Sequence, residues 1–468
     1  DQLDAAFLGF TRAFDAANGG FGGAPKFPPS MSLEFLLRYY QRTGDEKALE
    51  MVAKTCAKMA EGGMYDQLGG GFHRYSVDAV WLVPHFEKML YDNAQLARVY
   101  LHVFQVTKNE FYRRVAVEIL EYVRREMLDA GSGGFYSTQD ADSEGVEGKF
   151  FVWTPPEIEQ ILGGKDAQIF NFYYDVSEEG NFEERNILNV NYTTEATAKA
   201  LKISEDELKA TLERGREKLF AEREKRVKPF RDEKVLTAWN GLMTAAFAEA
   251  SAILESEEYL EIARRSAEFI LNNLQKDGYL LRTFKDGRAK LNAYLEDYAN
   301  FADALVELYQ VSGEIKYLRE AKRLADLMIA EFWDEDGGGF FFTGNNHEEL
   351  IVRGKDFFDN ATPSGNSVAA EVLLKLARLC GDEKYERFAV AVLRLVAPQI
   401  RRYPNGFGRA LSALEFYLTP TREIVVIGEK GNNLEREVWR DYLPQKVVAL
   451  SSDEETAAAA ADFIPLLQ

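Results

Sequence analysis

The sequence predicts an all-α protein in which six helical hairpins close into an α/α toroid, followed by a small C-terminal α/β appendage. Two kinds of connection alternate along its 468 residues. Long connections carry a glycine followed by Phe or Tyr, at 19–21, 70–72, 133–135, 278–279, 338–340 and 406–407. Short acidic connections, such as those that begin at Thr43, Thr107 and Ser312, separate the helical patterns between them. Self-similarity on this scale indicates a repeated structural unit.

Twelve helices are predicted in order, because apolar residues recur at spacings of three and four in each segment. Their ranges are 4–17, 31–43, 46–61, 85–105, 109–129, 235–254, 258–275, 294–311, 315–332, 364–380, 384–402 and 408–418. The even-numbered helices are the more apolar, so we expect them to form the inner ring. The long connections and the inner-helix N-termini then share one face of the ring, where loops on a rigid scaffold concentrate binding residues.

Two stretches depart from the repeat. Residues 150–234 are expected to be an insertion beside the mouth of a toroid that spans 1–419. After Pro420, two strand-like segments at 422–429 and 445–452 flank a helical pattern near 433–442. This order predicts a βαβ-like appendage over 420–468.

Charge and hydropathy limit the classes of partner. The chain has 56 Lys and Arg against 76 Asp and Glu, a net charge of -20, so nucleic acid and anionic membranes are not expected partners. No apolar run approaches the ~20 residues that span a bilayer. Cys56 and Cys380 lack paired-cysteine spacing and predict reduced core thiols of a cytoplasmic protein. The start at Asp1, without a methionine or a signal peptide, predicts a processed or excised fragment.

The stretch from Gly62 to Tyr100 holds two of the four histidines together with many carboxylates, aromatics and glycines. It predicts a polar loop that leads into a buried helix. That helix is expected to begin at Pro84, since proline is favoured in a first helical turn. His85 and Glu87 would then lie in the first turn, where a titratable cluster indicates a site.

Convergence of the inner-helix N-termini extends this site to the other loops. The candidate catalytic residues are His85, His73, Glu87, Asp66, Asp140, Asp142, Glu296 and Asp297. The candidate substrate-binding residues are Phe27, Arg74, Tyr75, Trp81, Trp239, Asn240, Asn366 and Arg409. Aromatic faces beside paired polar groups are what a sugar-like polyol needs. Structural alternatives stay open: His85 as a capping histidine, Glu296 and Asp297 as first-turn acids and Trp239 as a core residue.

Neither a metal nor a cofactor is expected. The run from Asp140 to Gly145 is similar to the first half of a calcium-binding loop, but its twelfth position is Phe151 where a bidentate Glu is required. The sequence lacks the zinc-protease, paired-cysteine, phosphate-loop and serine-elbow motifs.

Long motifs relate the chain to a known family. They are GGFGGAPKFP, GGMYDQLGGGFHRYSVDAVWLVPHFEKMLYDNAQLA, GGFYSTQDADSEG, LTAWNGLM, LEDYANF and TPSGNSVA. Over most of its length the chain closely resembles the thioredoxin-domain-containing family of bacterial YyaL and the vertebrate spermatogenesis-associated proteins. The resemblance implies an N-terminal thioredoxin-like domain, absent here, before a barrel similar to N-acylglucosamine 2-epimerases and six-hairpin glycosidases.

Three functions follow as hypotheses. A sugar epimerase or isomerase would use His85 as the base and His73 as its partner in proton transfer next to a carbonyl. A glycoside hydrolase would use two of the candidate carboxylates. A non-catalytic module would bind a carbohydrate-like ligand or a partner for the thioredoxin-like domain. Two histidines facing one carbon favour epimerisation, carboxylates facing across a cleft favour hydrolysis, and carboxylates locked to Arg or Lys favour binding alone.

Overall fold

The computed structural model describes residues 2–348 and 351–468. Its helices are α1 Gln2–Ala13, α2 Ser30–Thr43, α3 Glu46–Glu61, α4 Leu90–Thr107, α5 Glu110–Tyr122, α6 Pro155–Leu162, α7 Gly164–Tyr173, α8 Thr194–Leu201, α9 Glu205–Arg223, α10 Thr237–Ile253, α11 Glu257–Asn273, α12 Leu295–Ser312, α13 Ile315–Phe332, α14 Gly365–Cys380, α15 Glu383–Arg402, α16 Gly408–Leu418, α17 Asn433–Arg440 and α18 Glu454–Ala460. A π-helical turn, Val123–Met127, extends α5.

The strands are short and flank the helices. They are β1 Tyr75–Ser76, β2 Pro84–His85, β3 Lys88–Met89, β4 Thr138–Gln139, β5 Asp142–Ser143, β6 Val146–Glu147, β7 Arg231–Asp232, β8 Val235–Leu236, β9 Gln275–Lys276, β10 Tyr279–Lys285, β11 Arg288–Asn292, β12 Arg422–Ile427 and β13 Lys446–Ser451. No helix in the described ranges combines the length and apolarity needed to cross a membrane.

Six inner helices close into a ring, which confirms the predicted α/α toroid. The helices α2, α4, α10, α12, α14 and α16 contact one another in that order, and α16 returns to α2. The helices α1, α3, α5, α11, α13 and α15 pack outside them. Inner helices are buried around most of their surface, α12 from Asp297 through Val311, because they have neighbours on every side.

The predicted start of the second inner helix is wrong. Residues 84–89 are extended, and α4 begins at Leu90. Pro84–His85 pairs with Tyr75–Ser76, and Lys88–Met89 pairs with Thr138–Gln139. Bonds to these neighbouring strands, which local sequence spacing does not reveal, take the place of a first helical turn.

Four of the long connections share one turn in which an aspartate organises two glycines. In each, the Asp N–H donates to the carbonyl of the second glycine, and the N–H of the first glycine donates to the Asp carbonyl. The first glycine has a φ between 71° and 93°, a conformation that favours glycine over residues with a Cβ. The turns are Asp15 with Gly19 and Gly20, Asp66 with Gly70 and Gly71, Asp129 with Gly133 and Gly134, and Asp334 with Gly338 and Gly339.

An asparagine at the start of an inner helix fixes three of these turns. Its side chain accepts from the backbone N–H of the phenylalanine after the glycines and donates to the carbonyl of the same residue. The pairs are Asn93 with Phe72, Asn240 with Phe135 and Asn366 with Phe340. Each asparagine is fully buried. The long loops therefore attach rigidly to the inner ring.

The two segments outside the repeat contact opposite faces of the ring. Helices α6 to α9 pack around their own small apolar cluster, and Arg223 of α9 reaches Asp66 in the second long loop. Strands β12 and β13 pair in parallel, and α17 lies between them in the chain. They cover the short-turn face, where Gln105 near the C-terminal end of α4 donates to the Trp439 carbonyl.

Candidate functional site

Charged side chains from all six inner helices meet along the barrel axis, and together they form the axial cluster. On four helices two members lie four residues apart, which places both on one helix face. The members are Glu34 and Arg38 on α2, Arg98 and His102 on α4, Glu249 on α10, Asp303 and Glu307 on α12, Glu371 and Lys375 on α14, and Arg409 on α16. The ring thus encloses charge where an ordinary helical core is apolar.

His102 joins three inner helices. Its Nδ1 lies 2.7 Å from Oε2 of Glu34, and its Nε2 lies 3.2 Å from Oε2 of Glu249. Burial opposes the charged imidazolium, but the two carboxylates outweigh it and raise the pKa of His102 to about 9. The histidine is therefore positively charged at neutral pH.

The remaining cations bridge the other carboxylates. Arg98 Nε lies 2.6 Å from Glu249 Oε2, and Lys375 Nζ lies 2.5 Å from Glu307 Oε1. Arg409 Nε lies 2.9 Å from Glu371 Oε2, and its Nη2 lies 3.3 Å from Asp303 Oδ2. Each of the five carboxylates of the axial cluster therefore contacts at least one cation.

Charge in the cluster balances when His102 is protonated, with five acidic and five basic groups. Desolvating so many ions is costly, and replacing buried ion pairs with apolar residues of similar volume is often neutral or stabilising. A gain in stability alone thus does not explain why ten charged groups are buried along this axis. Their concentration around a concave space is typical of a ligand-binding site.

A cavity opens above the axial cluster on the loop face. Its volume is about 520 Å³, counting the solvent-filled entrance. It is lined by Ser30, Met31, Glu34, Arg38, Ala94, Gln95, Arg98, Val99, His102, Leu242, Pro363, Arg409 and Ser412. One turn nearer the loops, Tyr91 and Trp239 form an edge-to-face pair with ring centroids 4.7 Å apart. The mouth therefore combines charged, polar, apolar and aromatic groups.

A second cavity lies below the axial cluster, between it and the C-terminal segment 439–446. Tyr442 donates from its hydroxyl to Glu34 Oε1 over 2.7 Å. Trp439 and Lys446 line the same space. Residues that seemed peripheral in the sequence therefore complete the lower end of the axis.

Five of the predicted site residues come together on the rim. Phe27 stacks on Tyr75, and Tyr75 stacks on His85, with centroid distances of 4.7 and 5.2 Å. Glu87 Oε2 lies 3.2 Å from Arg74 Nη1 and 3.5 Å from His85 Nε2. His85 also contacts Glu147 of the 142–147 hairpin.

Asp66 and His73 lie in the interior beneath that rim. Asp66 receives two hydrogen bonds from Arg223, at 2.8 and 2.9 Å, and one from Lys88 at 2.8 Å. Burial opposes its charge, but these two cations hold the pKa of the Asp66 carboxyl well below its usual value. His73 Nδ1 bonds the Phe86 carbonyl, and burial lowers the pKa of His73 to about 3. His73 and His85 are thus not held against a common cavity.

Several other candidates hold the backbone in place. Asn240 and Asn366 fix the glycine turns, and Trp81 is fully buried with its Nε1 donating to the Asn18 carbonyl. Asp297 accepts from the backbone N–H groups of Ala238 and Tyr294, so it ties together two inner helices. The side-chain atoms of these residues are engaged within the protein.

The remaining acidic candidates are not part of the cavity lining and are unequally placed. Glu296 Oε1 and Asp297 Oδ2 both bind Nη1 of Arg282, at 2.8 and 3.1 Å. Burial is the main cause that raises the pKa of Asp297 to about 6. Asp140 and Asp142 are exposed at and before the 142–147 hairpin.

Arg409 and Trp239 are the predicted residues that reach the cavity or its mouth, and the rest of the axial cluster was missed. A signal for it was present: charged pairs such as Glu34 with Arg38, or Glu371 with Lys375, interrupt helices that are otherwise apolar. Spacing of four residues on a buried helix indicates that both side chains face the ring axis.

Comparison with known proteins supports the fold. No model of a known protein family matches the chain. Human spermatogenesis-associated protein 20 is a homologue, 36% identical over 495 residues, and the match covers 96% of this chain and 63% of the human protein. The chain thus spans less than two thirds of that relative.

Two solved structures share the α/α toroid. A D-mannose isomerase has a TM-score of 0.54 and 14% identity, with 84% of each chain covered. A C. acetobutylicum glycoside hydrolase from family 105 has a TM-score of 0.50 and 11% identity, with 84% of this chain and 93% of that chain covered. At these identities the likeness establishes the fold alone, a fold that sugar isomerases and glycoside hydrolases use.

Proposed function

We propose that the barrel binds a sugar-like polyol in the cavity on its loop face. The observation that carries this proposal is the position of the axial cluster, a set of ion-paired groups at the floor of an open cavity. Each hydroxyl of a polyol can donate to a carboxylate and accept from a guanidinium, as Glu34 and Arg98 would require. Trp239, which is partly exposed one helical turn nearer the loops and packs edge-to-face on the buried Tyr91, offers an aromatic surface for the apolar face of a sugar.

Binding without turnover fits the resting electrostatics best. A general base needs a free lone pair and a pKa near the working pH. Although burial opposes it, the cations around Glu34, His102 first among them, lower the pKa of Glu34 to about 2. His102 is already protonated. These states favour the non-catalytic hypothesis over acid–base catalysis by the axial cluster, and His73 and His85 are engaged by the Phe86 carbonyl and Glu147 away from this cavity.

A sugar isomerase or epimerase is the second candidate, and the position of His102 on the cavity wall favours it. The imidazolium would donate a proton to the carbonyl oxygen of an open-chain sugar. A carboxylate of the same cavity wall released from its cation, such as Glu34, would accept the proton from the adjacent carbon, giving an enediol. Return of the proton to the former carbonyl carbon, while His102 regains a proton from the second enediol hydroxyl, gives the isomer. Return to the original carbon on the opposite face, while His102 regains the proton that it gave, yields the epimer, and both routes restore the two groups.

Hydrolysis of a glycosidic bond stays a prediction with less support. It requires two carboxyl groups about 5–9.5 Å apart on either side of a cleft. The neighbouring acids Glu296 and Asp297 share Arg282.

The resemblance to a thioredoxin-domain family also supports a role in which the barrel acts beside such a domain. We infer that the barrel acts in the cytoplasm.

Calorimetric titration with a panel of mono- and disaccharides tests the proposal, with the same samples followed by NMR in heavy water. Binding without deuterium incorporation or cleavage is expected. Deuterium at the carbon next to the carbonyl would select the isomerase instead, and cleavage would select the hydrolase. Absence of heat with every sugar would refute a carbohydrate site.

Matched variants locate the site. Arg409→Met removes a cation from the cavity wall and should weaken sugar binding about tenfold, because a charged hydrogen bond is lost. Arg282→Met removes a cation from the Glu296 pair outside that cavity and should leave the affinity unchanged. An equal loss in both variants would place the ligand elsewhere.

A further inference from the structure

We infer that the lower cavity, between the axial cluster and segment 439–446, is a binding site for a carboxylate or phosphate group, and that Lys446 is the cation that pairs with it. This anion subsite lies on the opposite side of the axial cluster from the polyol-binding cavity, and Glu34, Arg38, Arg98 and His102 line both. Its occupant is a small anion, either free or carried on a larger ligand. The charge balance and hydrogen bonding of the lower cavity carry the inference.

Lys446 is the cation left over on the axis. The axial cluster balances five acidic groups with five basic groups once His102 is protonated. Lys446 adds a sixth basic group that lines the lower cavity. Across residues 2–348 and 351–468, no carboxylate oxygen lies within 4.0 Å of its Nζ.

The nearest carboxylates are already engaged by other cations. Glu249 binds Arg98 and His102, and Glu307 binds Lys375. Lys446 instead donates to the Val438 carbonyl over 3.0 Å and lies 3.9 Å above the ring of Trp439. The carbonyl accepts one of the three ammonium protons, so two have no oxygen acceptor among the described residues.

The Lys446 side chain is half-buried and has no salt-bridge partner in the described part of the chain. Loss of water around it is the main cause that lowers the pKa of Lys446 to about 8, and the more distant carboxylates of Glu249 and Glu307 offset part of that cost. A cation in such a place is stabilised when an anion binds to it, because removing an unpaired ion from water is costly.

The rest of the cavity suits an oxyanion. The side chains of Gln105, Gln310 and Tyr442 also line it, but they already donate to the Trp439 carbonyl, Glu307 and Glu34. The indole N–H of Trp439 has no acceptor in the described part of the chain. Three carboxylates and five cations line the space, and two of those cations, Arg38 and Lys375, also pair with Glu371 and Asp303 behind it. Lys446 therefore supplies the net positive charge of the lining.

Thermal unfolding at constant ionic strength tests the subsite with inorganic phosphate, D-glucuronate and D-glucose as probes. Phosphate or D-glucuronate should raise the unfolding temperature of the natural protein relative to chloride, because ligands that bind the folded state stabilise it. A rise in unfolding temperature with phosphate but not with D-glucuronate identifies a free anion as the ligand. A larger rise with D-glucuronate than with phosphate identifies an anionic group on a sugar.

Lys446→Met keeps the apolar stem and removes the charge. It should abolish the response to the anions, with affinity for the responsive anion about tenfold weaker by calorimetry. In chloride its unfolding temperature should equal or exceed that of the natural protein, which shows that it folds. Lys446→Arg should restore the response.

Lys430→Met is the matched control, since Lys430 lies in the same appendage, 420–468, but pairs with Glu257 at the surface. It should respond to anions as the natural protein does. An unchanged anion response in Lys446→Met, or no response in the natural protein, would overturn the inference. Failure of D-glucose to bind would count against the polyol proposal and leave the phosphate result standing.

Discussion

His102 Nδ1 lies 2.7 Å from Glu34 Oε2, and this contact joins the first and second inner helices across the barrel axis. The opposite ring nitrogen faces Glu249 on the third inner helix. A protonated imidazole between two carboxylates forms two charge-assisted hydrogen bonds. The protonation state of one histidine is therefore coupled to the charge balance of the whole cluster.

Stability should fall at alkaline pH because of His102. Its pKa of about 9 exceeds the usual 6.5, so its contribution is complete below pH 6.5 and is lost as the pH rises through 9. The lost contribution is on the order of 3 kcal/mol. Lys446, whose pKa is lowered to about 8, contributes in the opposite direction between pH 8 and pH 10.5. Urea unfolding of the natural protein and of His102→Gln at pH 6 and pH 9.5 separates the two, since only the natural protein should show the loss due to His102. An equal change in both proteins would contradict the assignment.

Asp66→Asn should destabilise the protein by about 3–5 kcal/mol, because it leaves Arg223 and Lys88 buried without their full counter-charge. Denaturant unfolding measures the loss. Glu87→Gln is the control, since its partner Arg74 is half-exposed and such pairs contribute about 0–1 kcal/mol. Similar losses in the two variants would show that Asp66 is not a structural anchor.

Asn240→Ala should lower the free energy of unfolding by about 2–4 kcal/mol, because the N–H and carbonyl of Phe135 both lose a buried partner. Asn272→Ala, an exposed substitution on the outer helix α11, should change it by less than about 0.5 kcal/mol. Sugar affinity of the folded Asn240→Ala protein should be unchanged. A specific loss of affinity would return Asn240 to the substrate-binding set.

Trp239→Ala should weaken sugar binding about fivefold, because a ring contact of the kind formed at the mouth contributes roughly 1 kcal/mol. Calorimetric titration measures the change. Tyr192→Ala removes an exposed ring from the insertion and should bind sugar normally. Normal binding by Trp239→Ala would exclude the mouth as the sugar contact.

The sequence predicted the ring closely. The helices 46–61, 315–332 and 408–418 have the predicted bounds. Helix limits follow from local chemistry: Asp45 caps the start of α3, and Gly44 and Gly313 end α2 and α12 in a left-handed conformation. Periodicity, caps and glycines act over a few residues and can be seen without the fold.

Side-chain partners could not be predicted in the same way. Asp66 meets Arg223 from a helix more than 150 residues along the chain, and Arg38 meets Glu371 across the ring. Histidines and acids near a helix start look alike in sequence whether they point into a cavity or fix a turn. Tertiary packing separates His102, on the cavity wall, from His73, buried against Phe86 and Phe151.

The sequence by itself determined the all-α toroid, its alternation of long and short connections and the face that carries the loops, because these follow from helix periodicity and turn chemistry. Only the tertiary structure decided which charges meet. It brought ten groups from six helices onto one axis and closed that axis with Tyr442 and Lys446. Pairing energies depend on distances of a few ångströms between segments far apart in the chain, and closure of the ring sets those distances.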